Sequence, residues 1–209
     1  MNNNSDFLKI IGLFTMLIDH IGAVFYPQVT LFRIIGRIAF PIFAYQIGVG
    51  YKNTKNLRKY LLRLLLVGII SQVPYSLLFT TKTLNIFFTL LIGLIAITVY
   101  ERINPALGML FPFLSLFIDF DYGIYGVFTI LVLFVFNQRN TMFIAGQGLL
   151  NITYCLWYNS FLQMYSILAV FLILYFKINI RINVSKLWFY AFYPVHLIIL
   201  LLLNSNIFL

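Results

Sequence analysis

A single cysteine, Cys155, leaves no partner for an internal disulfide and excludes a cysteine-rich metal site. Charge is scarce: Asp, Glu, Lys and Arg make up 9% of the 209 residues, and five of them are acidic. Two histidines, His20 and His196, lie far apart and form no zinc-ligand spacing, so no metal is expected. A glycine-rich phosphate loop is missing, as is the G-x-S-x-G signature of a serine nucleophile. There is no internal repeat and no soluble domain. The opening MNNNSDFLK lacks the short apolar core and small-residue cleavage site of a signal peptide. The first apolar segment is therefore expected to be retained.

What remains is apolar. Hydrophobic residues are 62% of the chain and the mean hydropathy is +0.98. A soluble domain is about 45–50% apolar and about 25% charged, so the solvent here is lipid. Backbone groups in lipid must pair within their own segment or in a closed barrel. The apolar runs are long, continuous and without alternation, which predicts helices and excludes a barrel. The fold class is all-α: one polytopic domain over 1–209, a bundle of about nine transmembrane helices. The net charge of +9 does not imply a nucleic-acid partner, because the basic residues sit in the gaps between apolar runs.

Apolar runs place the spans at 8–26, 31–50, 61–79, 85–100, 106–120, 123–136, 141–158, 161–176 and 187–203. Pro41 is expected to bend the second of them. With this count, Lys9, Lys52, Lys55, Arg58, Lys59, Arg63, Arg102, Arg139, Lys177, Arg181 and Lys186 fall on one side, and Lys82 alone on the other. The positive-inside rule then puts the N-terminus in the cytoplasm and the C-terminus outside, in a bacterial cytoplasmic membrane crossed many times.

Polar residues inside the spans are few and do not scatter. Asp19 and His20 share the outer half of the first helix, Arg33 and Arg37 that of the second. Asn85 opens the fourth at the outer surface, Asp119 and Asp121 end the fifth, and His196 lies inside the ninth. These groups are expected to meet in one outward-biased cavity. An intramembrane carboxylate costs about 2.5–3.5 kcal/mol on insertion scales, which favours pairing of Asp19 with Arg37. Plainer roles exist for each: Arg33 snorkelling to headgroups, an Asp-Tyr-Gly turn, histidines hydrogen-bonded between helices.

Histidine is suited to accept a proton near neutral pH, a carboxylate to orient it, and arginine to stabilise an oxyanion or bind an anion. This set fits acyl transfer to an amine or hydroxyl. It fits proton-coupled transport equally well, and spacing alone does not choose.

The runs LKIIGLFTMLIDHIG, FRIIGRIAFPIFAYQIGVGY and YLLRLLLVGIISQVPYSLLF, followed by DYGIYGVFTILVLFVF and FYPVHLIILLLL, resemble the TraX family in order from about Leu8 to Leu203. That family is associated with N-terminal acetylation of pilin and is similar to other transmembrane acyltransferases. The resemblance implies acetyl-CoA as acyl donor from the cytoplasmic side and a peptide N-terminus or glycan as acceptor. It implies functional roles for Asp19 and His20 of D-H-I-G, Arg37 of G-R-I-A-F-P, Asp121 and Tyr122 of D-Y-G, and Tyr193 and His196 of Y-P-x-H. On this reading His20 is the base, Asp19 orients it or pairs with Arg37, and His196 is the second candidate base. Arg33, Arg37, Asn85, Asp121, Tyr122 and Tyr193 are the expected substrate-binding residues. The basic 52–63 gap with Arg181 or Lys186 is expected to hold the CoA phosphates. The rival expectations are a proton-coupled small-molecule transporter or flippase, and a small assembly subunit whose charges only pair helices.

Overall fold

Runs of apolar residues whose backbone must pair internally become helices, and helices build this structure. The computed structural model describes residues 3–137, 140–176 and 185–207. In chain order it forms α1 (Asn3–Phe25), α2 (Thr30–Gly36), α3 (Ala39–Asn53), α4 (Leu57–Phe79), α5 (Ile86–Arg102), α6 (Pro105–Gly108), α7 (Gly123–Val135), α8 (Asn140–Tyr158), α9 (Ile167–Tyr175) and α10 (Lys186–Ile207). Short 3-10 turns at Phe111–Leu116 and Phe161–Ser166 precede α7 and α9. No strand forms among the described residues; a single parallel bridge, Leu84 to Phe120, ties two loops together.

Among the described residues, four segments are long and apolar enough to cross a membrane: Ser5–Phe25, Thr30–Asn53, Leu57–Phe79 and Leu187–Ser205. The second of these joins α2 and α3 through Arg37 and Ile38. The interruption lies one turn upstream of Pro41, whose ring leaves the Arg37 carbonyl without its N–H partner. The helix is interrupted there at Arg37 and Ile38, although both keep right-handed helical dihedrals.

Two expected spans differ, the fifth and the eighth; over 161–176 a six-residue 3-10 helix precedes the nine-residue α9. In place of a helix over 106–120, a four-residue α turn runs into a six-residue 3-10 helix ending at Leu116. Pro105, Gly108 and Pro112 break the α ladder. At 1.5–2.0 Å per residue the two pieces reach roughly 18 Å, short of the ~30 Å hydrocarbon thickness.

The centre of the bundle is α3, α5 and α7. Phe40 and Ile42 of α3, Leu94 and Ile97 of α5, and Val127 and Ile130 of α7 are completely or almost completely buried. α1 packs on α2, α3 and α10, and α10 closes on α4. Opposite that interior, Leu62, Leu66, Ile69, Val73 and Leu77 form an exposed apolar stripe along α4 at helical spacing. A helix apolar on both faces is one whose outer face meets lipid.

Basic residues gather at one end of the bundle. Lys9, Lys52 and Arg63 surround one hollow, and Arg102 donates from Nε to Tyr51 Oη at 3.3 Å. Arg139, Lys177 and Arg181, assigned to the same end from the sequence, lie outside the described residues, as does the side chain of Lys186.

Candidate histidine and arginine site

The site begins with a close approach of α1 and α2. Glycines at Gly22 and Gly36 permit it: a Cβ at Gly22 would overlap Phe32, and one at Gly36 would overlap the Asp19 carboxylate. Only a residue without a side chain lets α2 lie so close to Asp19. The approach delivers both arginines to one carboxylate. Arg33 Nη1 donates to Asp19 Oδ2 at 2.9 Å and to its backbone carbonyl at 3.3 Å. Arg37 Nη2 donates to Oδ1 at 3.2 Å and to Oδ2 at 3.4 Å. Arg33 therefore does not simply snorkel to headgroups; it makes the shorter of the two ion pairs. Two guanidinium groups share this one carboxylate, and the Asp121 carboxyl lies within electrostatic reach of both.

Arg37 is held further by Nε donating to Arg33 O at 3.3 Å and Nη1 to Gln163 Oε1 at 3.4 Å. Gln163 opens a second polar network. Its Nε2 donates to Tyr125 Oη at 2.9 Å, as does Gln147 Nε2 at 2.9 Å, while Tyr125 donates to Asn151 Oδ1 at 2.9 Å. Ser166 Oγ donates to the same Asn151 oxygen at 2.9 Å. Tyr125, Gln163 and Ser166 were not singled out from sequence. The signal was partial: the segment over 141–158 is polar for a span, with Gln147 and Asn151 two of the residues that make it so.

The two histidines meet. His20 Nδ1 and His196 Nε2 are 2.8 Å apart, with ring centroids at 5.0 Å. They come from α1 and α10, 176 residues apart in the chain. His196 Nδ1 also lies 2.8 Å from Phe192 O, one turn back on its own helix. Phe79 packs edge-on against His20 at 5.1 Å, and the Tyr193 ring stands 6.3 Å from His20 and 5.4 Å from His196.

The remaining expected residues divide. Tyr122 stacks on Phe40 with ring centroids 4.1 Å apart, in a left-handed turn at φ 62° that starts α7. Asp121, in the turn outside the spans, donates its N–H to Leu84 O at 2.8 Å. Burial, opposed chiefly by Arg37, pushes the Asp121 carboxyl up to about 6. Asp119 pins the rim, accepting from Thr83 Oγ1 at 3.0 Å. Asn85 is fully buried. It caps α5 by accepting from Phe87 N–H at 3.0 Å and donates to Gly68 O at 2.7 Å and Gln72 Oε1 at 2.9 Å.

A cavity of about 620 Å³ lies beside this site. Of the polar residues expected to share a cavity, none of His20, Arg33, Arg37 and Asp121 lines it. Lys9, Lys52 and Arg63 line its basic end, where Lys52 is exposed. Met16, Ile86, Phe87 and Tyr193 line the other end. Tyr193 thus separates the hollow from the histidine pair by one ring. The volume is that of a typical small-molecule site, roughly 300–1,000 Å³.

A family model described as TraX protein matches residues 4–204. A probable fimbrial assembly protein FimC, serogroup H1, of Dichelobacter nodosus is 30% identical over 169 residues, covering 69% of this chain and 69% of that protein. An uncharacterized protein of Rickettsia prowazekii (strain Madrid E) is 36% identical over 92 residues, 44% of this chain. The matched stretch spans 35% of that relative's length. No solved structure matches.

Proposed function

The chain belongs to the TraX protein family, and on that premise we propose that it is a membrane-embedded acyltransferase that moves an acetyl group from acetyl-CoA to an amine or hydroxyl. The observation that carries the reading is the hollow that runs from Lys9, Lys52 and Arg63 to Tyr193, one ring short of the His20–His196 pair. Its basic end suits the phosphates of CoA, and its apolar length suits the pantetheine arm. A histidine base is positioned beyond its inner end.

The reaction balances without a metal. The acceptor X–H gives its proton to a histidine nitrogen as X attacks the thioester carbonyl carbon. The tetrahedral oxyanion collapses, the C–S bond breaks, and the leaving thiolate takes the proton back. Arg33 and Arg37, gathered at Asp19, supply positive charge near the developing oxyanion.

The same reading keeps the N-terminus in the cytoplasm. The basic end of the bundle then faces the cytoplasm, where acyl-CoA is made, and the arginine cluster faces outward. The acceptor is a peptide N-terminus or a glycan at the membrane. The fimbrial-assembly name of the Dichelobacter relative is in keeping with such an acceptor.

The test is transfer of label from [acetyl-14C]acetyl-CoA in proteoliposomes to a peptide or glycan acceptor. Lys52→Gln with Arg63→Gln, which leaves the Lys9–Asp6 ion pair at 2.6 Å intact, is expected to raise KM for acetyl-CoA about tenfold with kcat little changed, the signature of lost ground-state binding. Substrate flux across the bilayer with no acetyl-CoA consumed would replace this reading with a transporter.

A further inference from the structure

The histidine pair is directional. Phe192 O can only accept, so His196 carries its hydrogen on Nδ1. A neutral His196 then has a bare Nε2, and the hydrogen in the 2.8 Å contact belongs to His20 Nδ1. A neutral His20 has no second hydrogen, so its Nε2 is bare. The tautomers of both rings are assigned by one backbone carbonyl.

Resting on the acyltransferase reading above, we propose that His196 is a positioning residue and His20 the base: the Phe192 carbonyl fixes His196, His196 fixes His20, and the acceptor's proton goes to His20 Nε2. The proton enters the pair at that nitrogen alone, because Nδ1 of each ring already holds a hydrogen and His196 Nε2 is engaged. Once His20 is charged, the bridging hydrogen can shift along the same bond and spread the charge over both rings. His196 then does for His20 what a carboxylate does in a catalytic triad. Asp19 is not available for that task, since both its carboxylate oxygens are engaged by Arg33 and Arg37. The titratable and charged groups around the pair are Tyr193 of α10, the Asp19, Arg33 and Arg37 cluster of α1 and the α2–α3 segment, Tyr75 of α4, and Asp121 of the turn before α7.

The arrangement is read directly by 15N NMR of histidine-labelled protein in lipid. The wild type is expected to show Nδ1-protonated neutral rings for both histidines and a 15N–15N coupling across the shared hydrogen bond. His196→Phe should release His20 to the mixed tautomers of a free imidazole and lower kcat about 10- to 100-fold, part of the roughly 10²–10⁴ a positioned base supplies. His196→Gln, whose side-chain oxygen accepts the same hydrogen bond, should restore most of both signals. Wild-type His20 carrying its hydrogen on Nε2 would overturn the assignment, and that spectrum needs no variant to fold. Because the tautomers are read without substrate, lack of acetyl transfer counts against the acyltransferase reading separately from this result.

Discussion

His20→Ala is expected to abolish acetyl transfer while leaving the bundle intact. The loss should be about 10²–10⁴-fold in kcat, the amount a positioned general base contributes. His20 is half-buried and its hydrogen bond is to one partner, His196 Nε2 at 2.8 Å. Removing it leaves that nitrogen as a lone unpaired acceptor, worth about 1–3 kcal/mol at most. KM for acetyl-CoA should barely move, because His20 is not among the residues lining the 620 Å³ hollow. Steady-state kinetics with the variant reconstituted in the same lipid is the check. A His20→Ala protein that folds and retains full activity would remove the base from the mechanism.

The second large effect is on stability. Asp19→Ala should destabilise the bundle by about 3–5 kcal/mol, the usual cost of breaking a buried ion pair from one side. Here the cost falls on two cations, since Arg33 and Arg37 share that single carboxylate. Asp19 is the junction of α1 with α2, so the first two spans should loosen from each other. Replacing Asp19, Arg33 and Arg37 together by apolar residues should recover much of the stability and none of the activity, because a buried pair is often neutral against well-packed apolar groups. Thermal unfolding in a fixed detergent separates the cases. An Asp19→Ala protein as stable as wild type would show that the arginines find other partners.

Sequence reading went furthest where lipid imposes the rule. Intramembrane charge must pair, so Asp19 with Arg37 was legible, as was the meeting of the two histidines. Apolar length located the long helices for the same reason. It failed at the fifth segment, where hydropathy alone predicts a span and Pro105, Gly108 and Pro112 instead give short turns. At Asn85 the cap of α5 was not legible, because a cap and a ligand contact use the same polar atoms. The Gln163–Tyr125–Asn151 network was hidden by distance: its members come from α7, α8 and the turn before α9. The hollow was hidden for another reason. Its walls are ordinary core residues such as Met16, Ile86 and Phe87, which carry no signature until helices are placed.

The most direct measurement is a cryo-EM map of the protein in nanodiscs with acetyl-CoA bound. The account predicts phosphate and adenine density against Lys9, Lys52 and Arg63, an extended arm between α1, α4 and α10, and the thioester carbonyl beside His20 with the Tyr193 ring turned aside. An empty hollow at saturating acetyl-CoA, or CoA bound elsewhere with the histidine pair sealed behind Tyr193, would contradict it.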